Sequence, residues 1–178
     1  MIKLQHMIGL PVLIMSTGQQ VGHVKDAWFD EHWELSGIIL DVGRRFLSAT
    51  RSILWSDVVK CGEDVVFIMS EQAVHKALPA DIQRSFHTGA IRLKDLIVVT
   101  TDGEQLGRVS DVYFSNEQGT QIVGYELTDG FIADVMDGRK WLPAPTDLDT
   151  VTLGENAIIV PAGSELLLEP VTASDSDI

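Results

Sequence analysis

The chain has 178 residues, 45% hydrophobic and 22% charged, a balance that excludes a disordered or fibrous protein. Its formal charge of −13 is uneven, with −2 over residues 1–78 and −11 over residues 79–178. Phosphate backbones are drawn to clustered Lys and Arg, so this distribution argues against broad nucleic-acid binding.

In chain order, Pro11–Met15 reads as a first short strand, closed by a turn at Thr17-Gly18. Val21–Phe29 alternates, with Val21, His23, Lys25, Ala27 and Phe29 on one side and Gly22, Val24, Asp26 and Trp28 on the other. Both sides are partly apolar, as in a long strand that curves inside a small barrel. Trp33–Leu40 follows, with Gly37 expected at a bend or bulge. Ser52–Trp55, Val58–Lys60 and Val65–Met69 come next, the last two separated by Gly62-Glu63-Asp64. Ser70 is placed to cap a short helix through Leu78, and Pro79 restarts a turn through Phe86, so 71–89 is expected to be a helical connector.

The same order then recurs. Leu96–Val99 leads into Asp102-Gly103, a strong hairpin signal, followed by Gln105–Phe114 and Ile122–Leu127, with Gly124 in the place of Gly37. Ile132–Met136, Arg139–Leu142 and Ala157–Val160 complete the second copy. The recurrence is clearest in Gly18-Gln-Gln-Val-Gly22-His-Val24-Lys-Asp26-Ala-Trp28-Phe29 and Gly103-Glu-Gln-Leu-Gly107-Arg-Val109-Ser-Asp111-Val-Tyr113-Phe114. Six of these twelve positions are identical, so one architecture is built twice. Short strands at this spacing point to barrels rather than to a βαβ sheet. The expected organisation is all-β: two small, partly open barrels over 1–70 and 90–161, then an acidic, disordered tail over 162–178.

With both copies laid out, the chain resembles the PRC-barrel family. The resemblance rests on Ile8-Gly-Leu-Pro11-Val12 and the paired Gly-x-x-x-Gly-x-Val-x-Asp-x-x-Phe segments, and on Gly138-Arg139-Lys-Trp-Leu142-Pro143 and Gly154-Glu155-x-x-Ile158-Ile159. That family occurs in the photosynthetic reaction-centre H subunit, in a ribosome-maturation factor and in stand-alone tandem proteins, the form this chain most resembles. The resemblance implies docking or scaffolding modules with no shared catalytic residue.

Individual residues point the same way. Asp26 and Asp111 recur at one place, which suits a structural carboxylate accepting backbone N–H groups rather than a catalytic pair. Gly18, Gly22, Gly103 and Gly107 precede strands, not the helix that a phosphate loop requires, and read as turn and close-approach glycines. His6, His23, His32, His75 and His87 show no metal-ligand spacing, and no metal or cofactor is expected. Cys61 aligns near Leu153, an apolar position just before a turn, and is expected to be a buried, inert thiol. Ser85 and His87 lack a nucleophile elbow, so no catalytic residue is assigned. Trp28, Trp55 and Trp141 are expected in packing, Trp55 and Trp141 at similar places in their copies. Trp33 in a turn, with Arg44, Arg45 and Arg51, is the expected partner-contact surface.

The leading expectation is therefore a non-enzymatic interaction module with a protein partner, and with self-association where small barrels need further burial. A ribosome-assembly role through Arg44 and Arg45 is one alternative. Cation or small-ligand binding by Asp129, Asp134, Asp137, Asp147 and Asp149 is another, although their spacing is not that of an EF-hand. The longest apolar run, Ile8 to Met15, is broken by Gly9 and Pro11 and is too short to span a bilayer, and no signal peptide is expected. A lone cysteine fits a reducing cytoplasm.

Overall fold

The computed structural model describes all residues except 42, 44–49, 78, 79, 81, 116–119, 131–137, 146, 148, 149 and 172–178. The chain divides into two units, Leu4–Ala90, and Met1–Lys3 together with Ile91–Ile178. Strand β1 (Ile2–Lys3) thus belongs to the second unit.

The first unit opens with a single helical turn, Leu4–Met7, whose Leu4 and Met7 lie three apart and are both buried. Then come β2 (Pro11–Ile14), β3 (Gln20–Phe29), β4 (Leu35–Asp41), β5 (Arg51–Leu54), β6 (Val58–Cys61), β7 (Val66–Ile68), β8 (His75–Lys76) and β9 (Arg84–Ser85). Their order is β6-β7-β2-β3-β4-β5-β8, with β9 added to the end of β3. Pairing is antiparallel except between β2 and β7. Sequence and sheet order therefore differ: the chain leaves at β2 and returns beside it at β7.

After the short strand β10 (Ile91–Arg92), which is not part of the second sheet, the second unit repeats this plan with β11 (Ile97–Thr100), β12 (Gln105–Phe114), β13 (Ile122–Thr128), β14 (Lys140–Pro143), β15 (Thr152–Leu153), β16 (Ala157–Val160) and β17 (Glu169–Pro170). The order is β15-β16-β11-β12-β13-β14-β17, with β1 added to β12. β11 and β16 are the parallel pair. Each sheet is a partly open barrel, and the protein is almost wholly β.

The long strand of each copy departs from simple alternation, and the reason is a bulge. Val24 and Asp26 face the consecutive residues Leu40 and Ile39, leaving Lys25 extra. In the second copy Val109 and Asp111 face Leu127 and Glu126, leaving Ser110 extra. A bulge resets the phase of every later side chain. Lys25 is exposed while Asp26, Ala27 and Phe29 are buried, so Lys25 does not share a side with Ala27 and Phe29 as alternation predicts. The barrel cores are aliphatic, with Val12, Ile38, Ile53 and Ile68 fully buried in the first and Val98, Val109, Val112 and Ile158 in the second.

Gly37 and Gly124 sit at matched places beside a second register shift, which leaves Ser36 and Val123 as the extra residues, as a bulge at Gly37 requires. Neither has a positive φ. Each lies under an indole: a Cβ on Gly37 would fall 2.6 Å from Trp28 Nε1, and one on Gly124 would fall 1.8 Å from Trp141 Cη2. The two rings come from different strands. Trp28 faces Gly37 across β3–β4, whereas Trp141 lies on β14. By register Trp141 matches Ser52, because both face the residue opposite the buried Asp, so Trp141 and Trp55 are not equivalent.

Among the described residues, helical character in the connector is confined to a 3-10 turn, Glu71–Ala73, with no side-chain cap from Ser70. The rest supplies β8 and β9 to the first sheet. The expected tail likewise begins with structure: a 3-10 turn at Ser164–Leu167, then β17, which pairs with Lys140 and Trp141. The two segments are copies. Ser70-Glu71-Gln-Ala-Val-His75-Lys76 and Ser164-Glu165-Leu-Leu-Leu-Glu169-Pro170 each close a barrel along β5 or β14. Thus 162–171 completes the second barrel because β14 would otherwise expose an unpaired edge.

Candidate functional site

Beside β6 and the end of β7 the first barrel carries an open groove of about 450 Å³. Its walls are the 3-10 turn Trp55–Asp57, the start of β6, and the segment from Met69 to His75. Val59 and Met69 line it and are 41% and 60% exposed. Asp57 and His75 stand within it as a loose pair, Nε2 to Oδ2 being 3.7 Å. Met15 extends the apolar strip, since its N–H donates to the carbonyl of Ile68 and it is 46% exposed. Ile14-Met15-Ser16 and Ile68-Met69-Ser70 end the two parallel strands with the same tripeptide. Exposed methionines adapt their shape to a range of apolar partners. β6, whose first residues Val58 and Val59 line the groove, is the terminal strand in the sheet order and carries an outer backbone edge.

The expected contact residues do not build this surface. Trp33 is 2% exposed. Asp30 explains its burial: its carboxylate accepts the N–H groups of His32 and Glu34 at 2.8 and 2.9 Å, forming a tight turn. That turn holds Trp33 at φ 60°, uncommon for a bulky residue, and aims the indole inward onto Phe29, 5.7 Å between ring centres. Arg84 lies 5.9 Å from the same ring. Arg51 is half-buried in β5, opposite Leu40 and Lys76. Arg44 and Arg45 lie outside the described residues, as do Asp134, Asp137 and Asp149. Asp129 accepts from Lys140 at 2.8 Å, and the Asp147 carbonyl accepts from Thr150.

The repeated acids are built differently in the two copies. Asp26, fully buried, accepts the N–H groups of Ala27, His87 and Thr88 and the Thr88 hydroxyl, at 2.6–3.1 Å. Ser85 Oγ also accepts from Thr88 and Gly89. Asp111 takes the matching N–H of Val112, and Lys3 Nζ lies 4.0 Å from it. Opposite Asp111, where the first copy has Ile39, stands Glu126, 1% exposed. Lys3 at 2.7 Å, Arg139 at 2.6 Å and the Tyr113 hydroxyl at 2.8 Å donate to its carboxylate, and Ser110 Oγ lies within 3.2 Å. Burial alone would raise its pKa; the bonds from Lys3, Arg139 and Tyr113 outweigh it and hold the group down at about 2. Sequence reasoning missed Glu126, although its cross-strand partner is the repeated Asp.

Gly18 and Gly103 turn with φ 70° and 92°, as hairpin positions require. Gly107 has φ 142° and leaves 3.2 Å between a notional Cβ and the Thr128 carbonyl, while Gly22 lies in β3 opposite Val12. Phe29 and Phe114 are both buried. His23 is exposed beside Gln20. Burial pushes the Cys61 thiol up to about 11. Among the described residues no three His, Cys, Asp or Glu side chains gather as metal ligands, and no helix is long and apolar enough to cross a membrane.

Comparison with known proteins agrees with the duplicated architecture. An uncharacterised Bacillus subtilis (strain 168) protein, YrrD, is 29% identical over 148 residues, covering 83% of this chain and 81% of YrrD. The family model for the PRC-barrel domain matches twice, over residues 1–74 and 90–167. With two ordered copies of the same bulged strand, parallel return and closing turn, the chain belongs to the PRC-barrel family.

Proposed function

We propose that this chain is a non-enzymatic interaction module that docks a protein partner through the first barrel. The observation that carries this reading is the strip of Met15, Val59 and Met69 beside the groove and the β6 edge. Clustered, exposed apolar side chains cost solubility and mark interaction surfaces in soluble domains. A strand edge and a groove that carries both apolar and polar side chains offer backbone hydrogen bonds and a side-chain pocket to an extended segment. Residues 1–78 carry a formal charge of only −2, so that surface is under less of the repulsion that the acidic second half imposes on anionic partners. The lone cysteine fits action in a reducing cytoplasm.

The test is comparative capture from the native host after cross-linking, using the full chain, Met69→Glu, and Lys94→Ala as a control in the second barrel. A partner held by the wild type and by Lys94→Ala, and lost with Met69→Glu, supports docking at the groove. Equal capture by all three places binding elsewhere and overturns the reading.

A further inference from the structure

Each barrel receives its extra strand from chain that precedes the other repeat. In the first, β9 sits on the end of β3, Ser85 facing Trp28 and Arg84 facing Phe29. In the second, β1 sits on the end of β12, Lys3 facing Tyr113 and Ile2 facing Phe114. These are the same two positions of the repeat. The buried Asp of each copy lies close to that incoming segment: Asp26 is capped by backbone and hydroxyl donors from His87 and Thr88, and Asp111 has the Lys3 ammonium. A two-residue strand contributes few ladder bonds, so what seats β1 is its lysine.

Lys3 is 16% exposed and meets two carboxylates that are essentially solvent-free, Glu126 at 2.7 Å and Asp111 at 4.0 Å. Arg139, 47% exposed, is the other cation on Glu126. Taking Lys3 away removes one of the two cations on the nearly solvent-free Glu126, leaving the half-exposed Arg139 beside the Tyr113 hydroxyl, and breaking a buried ion pair by removing one partner is strongly destabilising. We infer that β1 is a lock on the second barrel: seating Lys3 between Glu126 and Asp111 fixes β12 against β13, and unseating it loosens those two strands while the first barrel stays intact. The device is local because Glu126, Asp111 and Tyr113 all lie on β12 and β13.

Hydrogen–deuterium exchange on the full chain tests this. In Lys3→Met, exchange across Gln105–Phe114 and Ile122–Thr128 should quicken by about tenfold to a hundredfold, with Gln20–Phe29 and Leu35–Asp41 within about twofold of wild type. Lys3→Met combined with Glu126→Gln, which removes the acid that the lysine compensates, should recover much of the lost protection. That double variant also covers the case in which Lys3→Met alone folds poorly. Unchanged exchange in β12 and β13, equal acceleration in both units, or no recovery in the double variant would each overturn the lock.

Discussion

Gly124→Ala sets two principles against each other. Glycine within a strand costs about 0.5–1 kcal/mol relative to alanine, so propensity alone predicts stabilisation. The structure predicts the opposite. A Cβ at Gly124 would stand 1.8, 2.2 and 2.4 Å from three atoms of the Trp141 six-membered ring. The ring has little room to tilt, because Tyr113 meets it edge-on with centroids 4.8 Å apart. Tyr113 in turn is tied through its hydroxyl to Glu126. Overpacking costs about 1–3 kcal/mol, and an approach of 1.8 Å puts this case in the upper part of that range, so subtracting the propensity gain leaves a net loss of roughly 1–2 kcal/mol. For a barrel of this size that lowers the melting temperature by about 5–15 °C. Thermal denaturation followed by tryptophan fluorescence reads both the loss and the displaced indole. Adding Trp141→Leu should make Gly124→Ala much less harmful than it is alone. A variant that melts at or above the wild-type temperature would refute the reasoning. Gly37→Ala should be worse still, since its Cβ would meet the Ile53 carbonyl at 2.3 Å and backbone cannot swing aside.

Three further outcomes are expected. Glu126 is depressed from 4.5 to about 2, so its contribution is complete above pH 4.5 and is lost as pH falls toward 2. The shift corresponds to roughly 3 kcal/mol, so urea midpoints measured from pH 7 to pH 2.5 should fall more steeply for wild type than for Glu126→Gln; equal slopes would disprove the linkage. Cys61, raised to about 11, should be only about one-thousandth thiolate at pH 8 and react with a disulfide reagent far more slowly in the folded than in the unfolded chain. Asp26→Asn places an amide donor among the N–H groups of Ala27, His87 and Thr88, and should cost about 2–4 kcal/mol by chemical denaturation.

The parts of the fold legible in the sequence were those where the copies share residue identity. Gly18, Asp26 and Phe29 with Gly103, Asp111 and Phe114 announced the duplication, and Asp102-Gly103 announced its hairpin. The irregularity at Gly37 and Gly124 was also legible, but the indole over each glycine was not, because it comes from β3 in one copy and β14 in the other. The closing segments escaped notice because only Ser70-Glu71 and Ser164-Glu165 are shared between them. A helix pattern over 71–78 and acidic residues after 161 then suggested a connector and a tail. Edge pairing decided otherwise, since a two-residue strand carries almost no local signal. Trp33 looked exposed because turns usually are; the Asp30 carboxylate turned it inward.

The candidate sites were harder to read because they depend on cross-strand register, which two bulges set. Once Lys25 and Ser110 are bulged out, Asp26 faces Ile39 and Asp111 faces Glu126. From that single difference the other contrasts between the barrels follow physically. An acid at a core position needs donors, and the second copy supplies them from Lys3, Arg139 and the Tyr113 hydroxyl. The first copy has an aliphatic side chain there, so Trp28 stands in the place of Tyr113 and its buried Nε1–H has no hydrogen-bond partner among the described residues. Trp28 instead covers Gly37, the task that Trp141 performs over Gly124. Tyr113 is thereby free to bond Glu126 because Trp141 has taken over the glycine. The differences at Ile39/Glu126, Trp28/Tyr113 and Ser52/Trp141 lie in one cross-strand neighbourhood of each barrel. Trp141→Ser should therefore leave an indole-sized void over Gly124, and Ile39→Glu should leave an unpaired carboxylate in the first core.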